Sequence, residues 1–419
     1  MEFSAAVLFI GLIVFFADFF AATFNRTKIP DVLPLVLTGI IAGPVLNFIN
    51  PEIFGRFGEI FSTLTLVVIL FEAGLCLDIS AVKSSAGRGA VFALLTFIFT
   101  LVFVAALSHV FLGLGLLQAA VFGGILAGAA PSIVIPMLRK MSVSRNIISA
   151  VVFETTISEV LSIIFVLQII PASEGAGFNP AYITGRTLLA IAAAAAAGSA
   201  AALFWSMMLN KVRLLENSAF TTPAFVFIVF GGAELAGFSG AIAALCFGIV
   251  LGNVKDINIG PVKHLNVTLN GTEKSFMAEV VFLMRTFFFL YIGISMKPAG
   301  FDTVIFSAVL TAVILAARVI SANMSFNKEE SRFDITAAGV MVSRGLASAV
   351  LAGMPAQAGM EGGEIIRDTV FAVILFSILV NSFLSYSVER KKAFYKFVSA
   401  FFRRFSGAPP EPPGDKNIE

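Results

Sequence analysis

Apolar stretches of about bilayer length follow one another from end to end of this chain, and a sequence built that way can fold into very little else. About 17 to 25 apolar residues span the hydrocarbon core as a helix, and only helices and closed barrels satisfy the backbone there. Thirteen stretches can be read, at 4–23, 33–49, 60–80, 90–112, 117–138, 146–170, 183–209, 219–236, 240–253, 276–296, 303–322, 335–355 and 369–388. The ninth is the shortest. Hydrophobic residues make up 58% of the 419 and charged residues 13%, where a soluble chain would carry about a quarter charged. The expected class is an all-α polytopic membrane protein. A net charge of +2 on such a chain says nothing about partners, and no nucleic-acid partner is expected.

Lysine and arginine alternate between the gaps. Odd-numbered gaps and the tail hold 21 of the 28, even-numbered gaps and their edges hold four (Arg56, Lys297, Arg367 and, just inside the start of the seventh stretch, Arg186), and Arg285, Arg318 and Arg344 lie deeper within stretches. Basic residues are retained on the cytoplasmic side, so the bias predicts an outside N-terminus and a cytoplasmic C-terminus, and losing one helix would scramble it. The first stretch lacks a basic leader and a small-residue cleavage pattern, and reads as a retained span. Cys76 and Cys246 fall inside apolar stretches, where packing is the ordinary role of a cysteine.

The organisation expected is a transmembrane domain over 1–388, a basic amphipathic cytoplasmic segment over 389–406 and a disordered tail over 407–419. The segment reads Glu389-Arg390-Lys391-Lys392-Ala393-Phe394-Tyr395-Lys396-Phe397, with Phe401, Phe402, Arg403 and Arg404 beyond. Such a pattern suits an interfacial helix on anionic lipid, and equally a topological stop signal. The tail is too short for a nucleotide-binding regulatory domain.

A charge at bilayer depth costs several kcal/mol, roughly 2.5 to 3.5 at a helix centre, and marks an ion or proton path. Arg318, near a helix end, is expected to snorkel, and Glu234, Glu279 and His109 are likewise terminal. Asp18, Glu72, Glu154, Glu159, Arg285 and Arg344 lie deeper. Four acids cannot all be neutralised by two bases. In the sixth stretch Ser158 lies about 40° from Glu154 around a helix, while Glu159 lies about 140° round and about 7.5 Å further along. The two acids therefore face different surroundings: one can hold an internal arginine while the other meets a water-filled cavity and exchanges a proton for a cation near neutral pH. Glu159 is assigned the cavity.

Two stretches carry signs of broken backbone. The fifth has Gly123-Gly124, Gly128-Ala129-Ala130-Pro131 and Pro136, and the twelfth has Ser343-Arg344-Gly345 and Gly353. They occupy corresponding places in stretches 1–6 and 8–13, the pattern of an inverted repeat whose discontinuous helices meet near the bilayer centre.

The chain resembles the monovalent cation:proton antiporters of the sodium/proton exchanger superfamily. The resemblance is carried by Leu70-Phe71-Glu72-Ala73-Gly74-Leu75, Gly237-Phe238-Ser239-Gly240, Gly248-Ile249-Val250-Leu251-Gly252-Asn253, Arg285-Thr286-Phe287-Phe288 with Gly293, and Arg344-Gly345-Leu346-Ala347-Ser348-Ala349. It implies a homodimer whose core bundle moves like an elevator against a dimerisation scaffold. It also implies that Glu154 pairs with an arginine, most readily Arg344, that Arg285 stabilises the core, and that Glu159 binds cation and proton in turn. No cofactor and no enzymatic activity are implied, only transported Na+ or K+ and H+.

The departures bear on the ion. Relatives carry Asn-Asp or Asp-Asp where this chain has Ser158-Glu159, and a threonine or acid where it has Ala129-Ala130 before Pro131. Thr155, Ser158, Ser132 and the Ala129 backbone can still supply oxygens for a hard cation. Sodium is favoured over potassium, and a single free carboxylate favours electroneutral exchange. Glu72 and Asp18 are secondary candidates.

Two other readings stay open at this stage. One is a sodium-coupled symporter or other solute transporter of the same fold. The other is an intramembrane serine protease built on Gly237-Phe238-Ser239-Gly240, which would need a histidine base where only His109 and His264 are available. No phosphate-binding GxxxxGK[ST] loop is present. The loop bias favours a prokaryotic plasma membrane.

Overall fold

The computed structural model describes residues 32–46, 55–77, 87–173, 180–214, 218–255, 267–296, 300–390 and 392–405, with scattered positions between 11 and 19. Its longer elements are all helices: α1 (Val32–Ile40, continued by a π turn Ile41–Val45), α2 (Gly55–Cys76), α3 (Arg88–Leu112), α4 (Leu116–Ala127), α5 (Pro131–Arg139), α6 (Arg145–Ser173) and α7 (Pro180–Val212). They continue with α8 (Thr221–Leu235), α9 (Gly240–Asn253), α10 (Gly271–Ser295), α11 (Phe301–Ser325), α12 (Arg332–Val340), α13 (Leu346–Gln357), α14 (Gly363–Arg390) and α15 (Lys392–Ser399). Among the described residues seven helical segments are long and apolar enough to cross a membrane, and five shorter apolar helices accompany them. The chain is a polytopic all-α membrane protein. The stretch expected at 4–23, with Asp18, and the tail expected at 407–419 lie outside the described residues, apart from scattered positions in the former.

The chain divides into two compact units. The first comprises Met1–Ile49, Ser85–Val166 and Ile292–Glu419. Within it α3 packs on α4 and α11, α11 also lies against α12 and α14, and α14 runs beside α4 and α13. Phe92, Phe122, Leu126, Val134, Ile314, Val340 and Ile374 are buried there. These residues are apolar on several faces of their helices because those helices are surrounded by other helices.

The second unit comprises Asn50–Ser84 and Leu167–Tyr291, with α9 packed on α2, α7 and α8. Small residues let backbones approach closely in membrane helices. A Cβ on Gly74 would stand 2.7 Å from Ile249 N, and one on Gly198 2.1 Å from Ala243 O. An aromatic layer fills the remaining space: Trp205 stacks on Phe225 at 4.3 Å between centroids, and Phe225 and Phe71 both reach Phe247. Trp205 Nε1 donates to Thr222 Oγ1 at 3.1 Å, which removes the cost of burying an indole N–H. Just past the end of α7, Arg213 donates to both carboxylate oxygens of Glu273, at 2.8 and 2.7 Å, and to Thr268 O. That hydrogen-bonded carboxylate raises the Arg213 guanidinium above its ordinary value.

Candidate functional site

The first unit contains two helix breaks, and local sequence accounts for one of them. Proline disfavours α geometry in the residue before it and is well suited to the first helical position. Ala130 is accordingly extended (ψ 99°) and α5 starts at Pro131, while Gly128, also extended (ψ 131°), ends α4. The second break, residues 341–345 between α12 and α13, contains no proline. Its backbone groups find partners elsewhere in the fold, as buried backbone must: Ser343 O accepts from Ala130 N–H at 3.1 Å, and Arg344 N–H donates to Ser377 Oγ at 3.0 Å.

The breaks touch. A Cβ on Gly345 would lie 2.6 Å from the Ala130 Cβ, so glycine is required by close approach. Arg344 Nη1 donates to Gly128 O at 3.1 Å. Gly345→Ala should cost about 1 to 3 kcal/mol by overpacking, and adding Ala130→Gly should recover most of it. Thermal unfolding in detergent measures both, and a double variant no more stable than the single would disprove the contact.

Helix α6 runs beside the first break. A Cβ on Gly128 would meet Ser162 Cβ at 2.9 Å and Glu159 Cα at 3.3 Å. Ser158 Oγ accepts from Ala129 N–H at 3.3 Å and donates to Thr155 O, and Ser162 donates to Gly124 O at 2.6 Å. The Thr155 hydroxyl donates to Val151 O at 2.9 Å, which leaves its lone pairs available. Thr155 and Ser158 are fully buried, Glu159 is half-buried, and Ser132 is exposed in the first turn of α5.

Glu154 is fully buried and forms a fork with Arg318: Nη1 to Oε1 and Nη2 to Oε2, both 2.8 Å. This corrects the expected partner. Arg344 belongs to an extended segment and spends one donor on Gly128 O, while the regular helix α11 presents Arg318 to α6. Nor does Arg318 snorkel, because α11 continues to Ser325 and places it about 10 Å inside the helix end. Its side chain is 0% exposed, Nε donates to Ala338 O at 3.0 Å, and the guanidinium covers the Phe92 ring at 5.0 Å. Arg344 is equally buried, and its Nε and Nη2 find no hydrogen-bond partner among the described residues.

Helix α14 supplies a part of the site that the sequence reading missed. Besides Ser377, Asn381 Nδ2 donates to Ser343 Oγ at 2.6 Å and contacts Met137 Sδ of α5. Both residues are buried. They stand four apart in an apolar stretch, hence on one helix face, and that spacing was the available signal. Glu72 and Arg285 fall in the second unit, where the Arg285 charge acts on Glu72, so Arg285 does not share a unit with Glu154 and Arg344.

The model of the sodium/hydrogen exchanger transmembrane family matches residues 11–385. The chain belongs to that family. Among the exchangers it resembles is a Na+/H+ antiporter of Enterococcus hirae, 22% identical over 87% of this chain and 94% of that protein. The Na+/H+-K+ antiporter GerN of Bacillus cereus is 24% identical over 86% of this chain and 91% of that protein. Among solved structures, the sodium proton antiporter MjNhaP1 of Methanocaldococcus jannaschii at pH 8 shares the fold, with a TM-score of 0.71 at 19% identity, covering 91% of this chain and 100% of that one.

As a member of this family the exchanger is a transporter and not an enzyme, and the protease motif has a structural role. Ser239 is the N-cap of α9, accepting from Ile242 N–H at 3.4 Å, while Glu234 Oε1 accepts from Gly240 N–H at 2.7 Å. Gly237 takes φ +79°, the left-handed turn that joins α8 to α9. His109 Nδ1 pairs with Leu114 O at the end of α3, and His264 lies outside the described residues.

Proposed function

We propose that this exchanger swaps a monovalent cation, Na+ ahead of K+, for H+ by alternating access, with Glu159 binding proton and cation in turn. The supporting observation is the position of Glu159: half-buried, on the helix turn that abuts Gly128 in the first break. Oxygens of Ser158, Thr155, Ser132 and the Ala129 backbone complete a hard-cation site around it. Helix breaks free carbonyls and helix ends for such an ion.

Charge counting supports electroneutral exchange. Glu154 is bound by Arg318, which leaves the load to Glu159. One proton or one monovalent cation then changes the charge of the site by the same amount. Proteoliposomes with a pH dye should show exchange that neither generates nor responds to a membrane voltage. A voltage response would overturn the stoichiometry, and no response to Na+, K+ or Li+ would overturn exchange itself.

The finer architecture rests on the sequence pattern: thirteen helices, an inverted repeat of helices 1–6 and 8–13, an outside N-terminus, a cytoplasmic C-terminus and a prokaryotic plasma membrane. The unit holding both breaks and Glu159 is assigned the moving core bundle, and the Gly-rich packed unit the dimerisation scaffold of a homodimer. A sodium-coupled symport reading loses ground because the family matched is the sodium/hydrogen exchangers and the relatives reported are antiporters.

A further inference from the structure

The segment after α14 is amphipathic in a specific way. Its inner side is seated on the first unit. Phe402 and Phe405 are 0% exposed, and a Cβ on Gly339 of α12 would stand 2.4 Å from the Phe402 ring. The backbone is tied down as well: Arg332 donates to Phe405 O and Arg403 O, both at 3.1 Å, Asn323 donates to Phe401 O at 3.1 Å, and Arg404 donates to Phe326 O at 2.8 Å. Tyr395 packs on Phe333, and burial pushes its phenol above the ordinary range.

The outer side is different. Phe397 and Phe401 are 66% and 60% exposed and meet edge to face at 6.0 Å. Lys396 and Arg403 are exposed near them in the sequence. This face follows directly on α14, an apolar helix long enough to cross a membrane. Aromatic rings flanked by cations there complement an anionic lipid surface. Gly339, under Phe402, lies one residue before the last residue of α12, and the unwound segment 341–345 follows.

We propose that residues 392–405 form a strap that reads anionic lipid on its outer face and clamps α12 through Phe402 on its inner face, so that anionic lipid sets the cation affinity of the break. Its transport arm rests on the exchange reading, but its binding arm does not. Each basic residue near an anionic surface contributes about fivefold in partition, so losing two predicts about 25-fold weaker lipid contact.

The binding arm uses the full chain in nanodiscs, with trypsin cutting after Lys396, Arg403 and Arg404. Phosphatidylglycerol should protect the strap relative to pure phosphatidylcholine. Phe397→Ser/Phe401→Ser, which keeps the cleavage sites, should abolish that protection. The transport arm compares the KM for Na+ in the two lipids: it should fall several-fold with phosphatidylglycerol in the wild type and not in Lys396→Gln/Arg403→Gln. Phe402→Ala should uncouple the arms, losing the KM response while Phe397 and Phe401 still contact lipid. Equal cleavage in both lipids, or protection that survives loss of Phe397 and Phe401, overturns the lipid surface. A KM response that persists in Phe402→Ala overturns the clamp. No transport in either lipid together with intact protection would defeat the exchange reading and leave the lipid surface standing.

Discussion

Glu159→Gln should abolish cation-driven proton movement, lowering the rate by about 100-fold or more, the scale on which a positioned proton carrier contributes. Glutamine keeps the size and the hydrogen-bonding oxygen but can neither release a proton nor neutralise a cation. Glu159→Asp keeps the charge and withdraws it by one methylene, so it should retain exchange with an altered KM for the cation. The measurement is dye-reported pH change in proteoliposomes with Na+ and with K+, alongside thermal unfolding to show that the variant is folded. Because Glu159 is only half-buried, stability should change little. Retained pH-dependent exchange in Glu159→Gln would move the carrier to another carboxylate, Glu72 or Asp18 first.

Glu154→Gln should act in the opposite way, through stability. It leaves the fully buried Arg318 without the carboxylate that it grips through two hydrogen bonds. Removing one partner of a buried pair costs about 3 to 5 kcal/mol, because an uncompensated charge stays in the interior. Arg318→Met should cost less. It removes a cation from a cluster with two cations and one paired acid, and Glu154 retains Arg344 as a second source of positive charge. Glu154→Gln combined with Arg318→Met should therefore recover much of the loss, as replacing a whole buried pair often does. Thermal unfolding of the three variants in detergent tests this order. Equal losses in the two single variants would mean that Arg344 does not act on Glu154, and a double variant no more stable than the singles would overturn the energetics argued for the Glu154–Arg318 pair.

The approximate positions of many described helices were legible because a bilayer filters sequence so strongly. The short ninth stretch, expected at 240–253, is the helix Gly240–Asn253, and the Gly128–Pro131 interruption is a break because proline chemistry acts on its immediate neighbours. The twelfth stretch also breaks where glycine and arginine interrupt it, yet no residue within it forbids a continuous helix. Its extended backbone is held by Ala130, Ser377 and Asn381, which lie far away in sequence. The sequence marks Glu154 as an acid that needs an arginine but favours Arg344, whereas the fold pairs it with Arg318. Depth along a helix can be counted from sequence, but which of two buried cations faces a given carboxylate depends on how helices are rotated against each other. The basic and aromatic segment after α14 was likewise read as a surface element, while the burial of Phe402 against Gly339 could only come from packing.

The sequence by itself determined that the chain is an all-α polytopic membrane protein, and roughly where many of its described helices lie. Those properties follow from local free energies: transfer of apolar residues, desolvation of charge and the backbone restrictions of proline. Only the tertiary structure decided that the two breaks touch through Gly345 and Ala130, that Arg318 takes Glu154, and that α14 and the C-terminal strap hold the second break and its half-helix. These are contacts between residues distant in the chain, fixed by helix rotation and close packing, and no local preference encodes them.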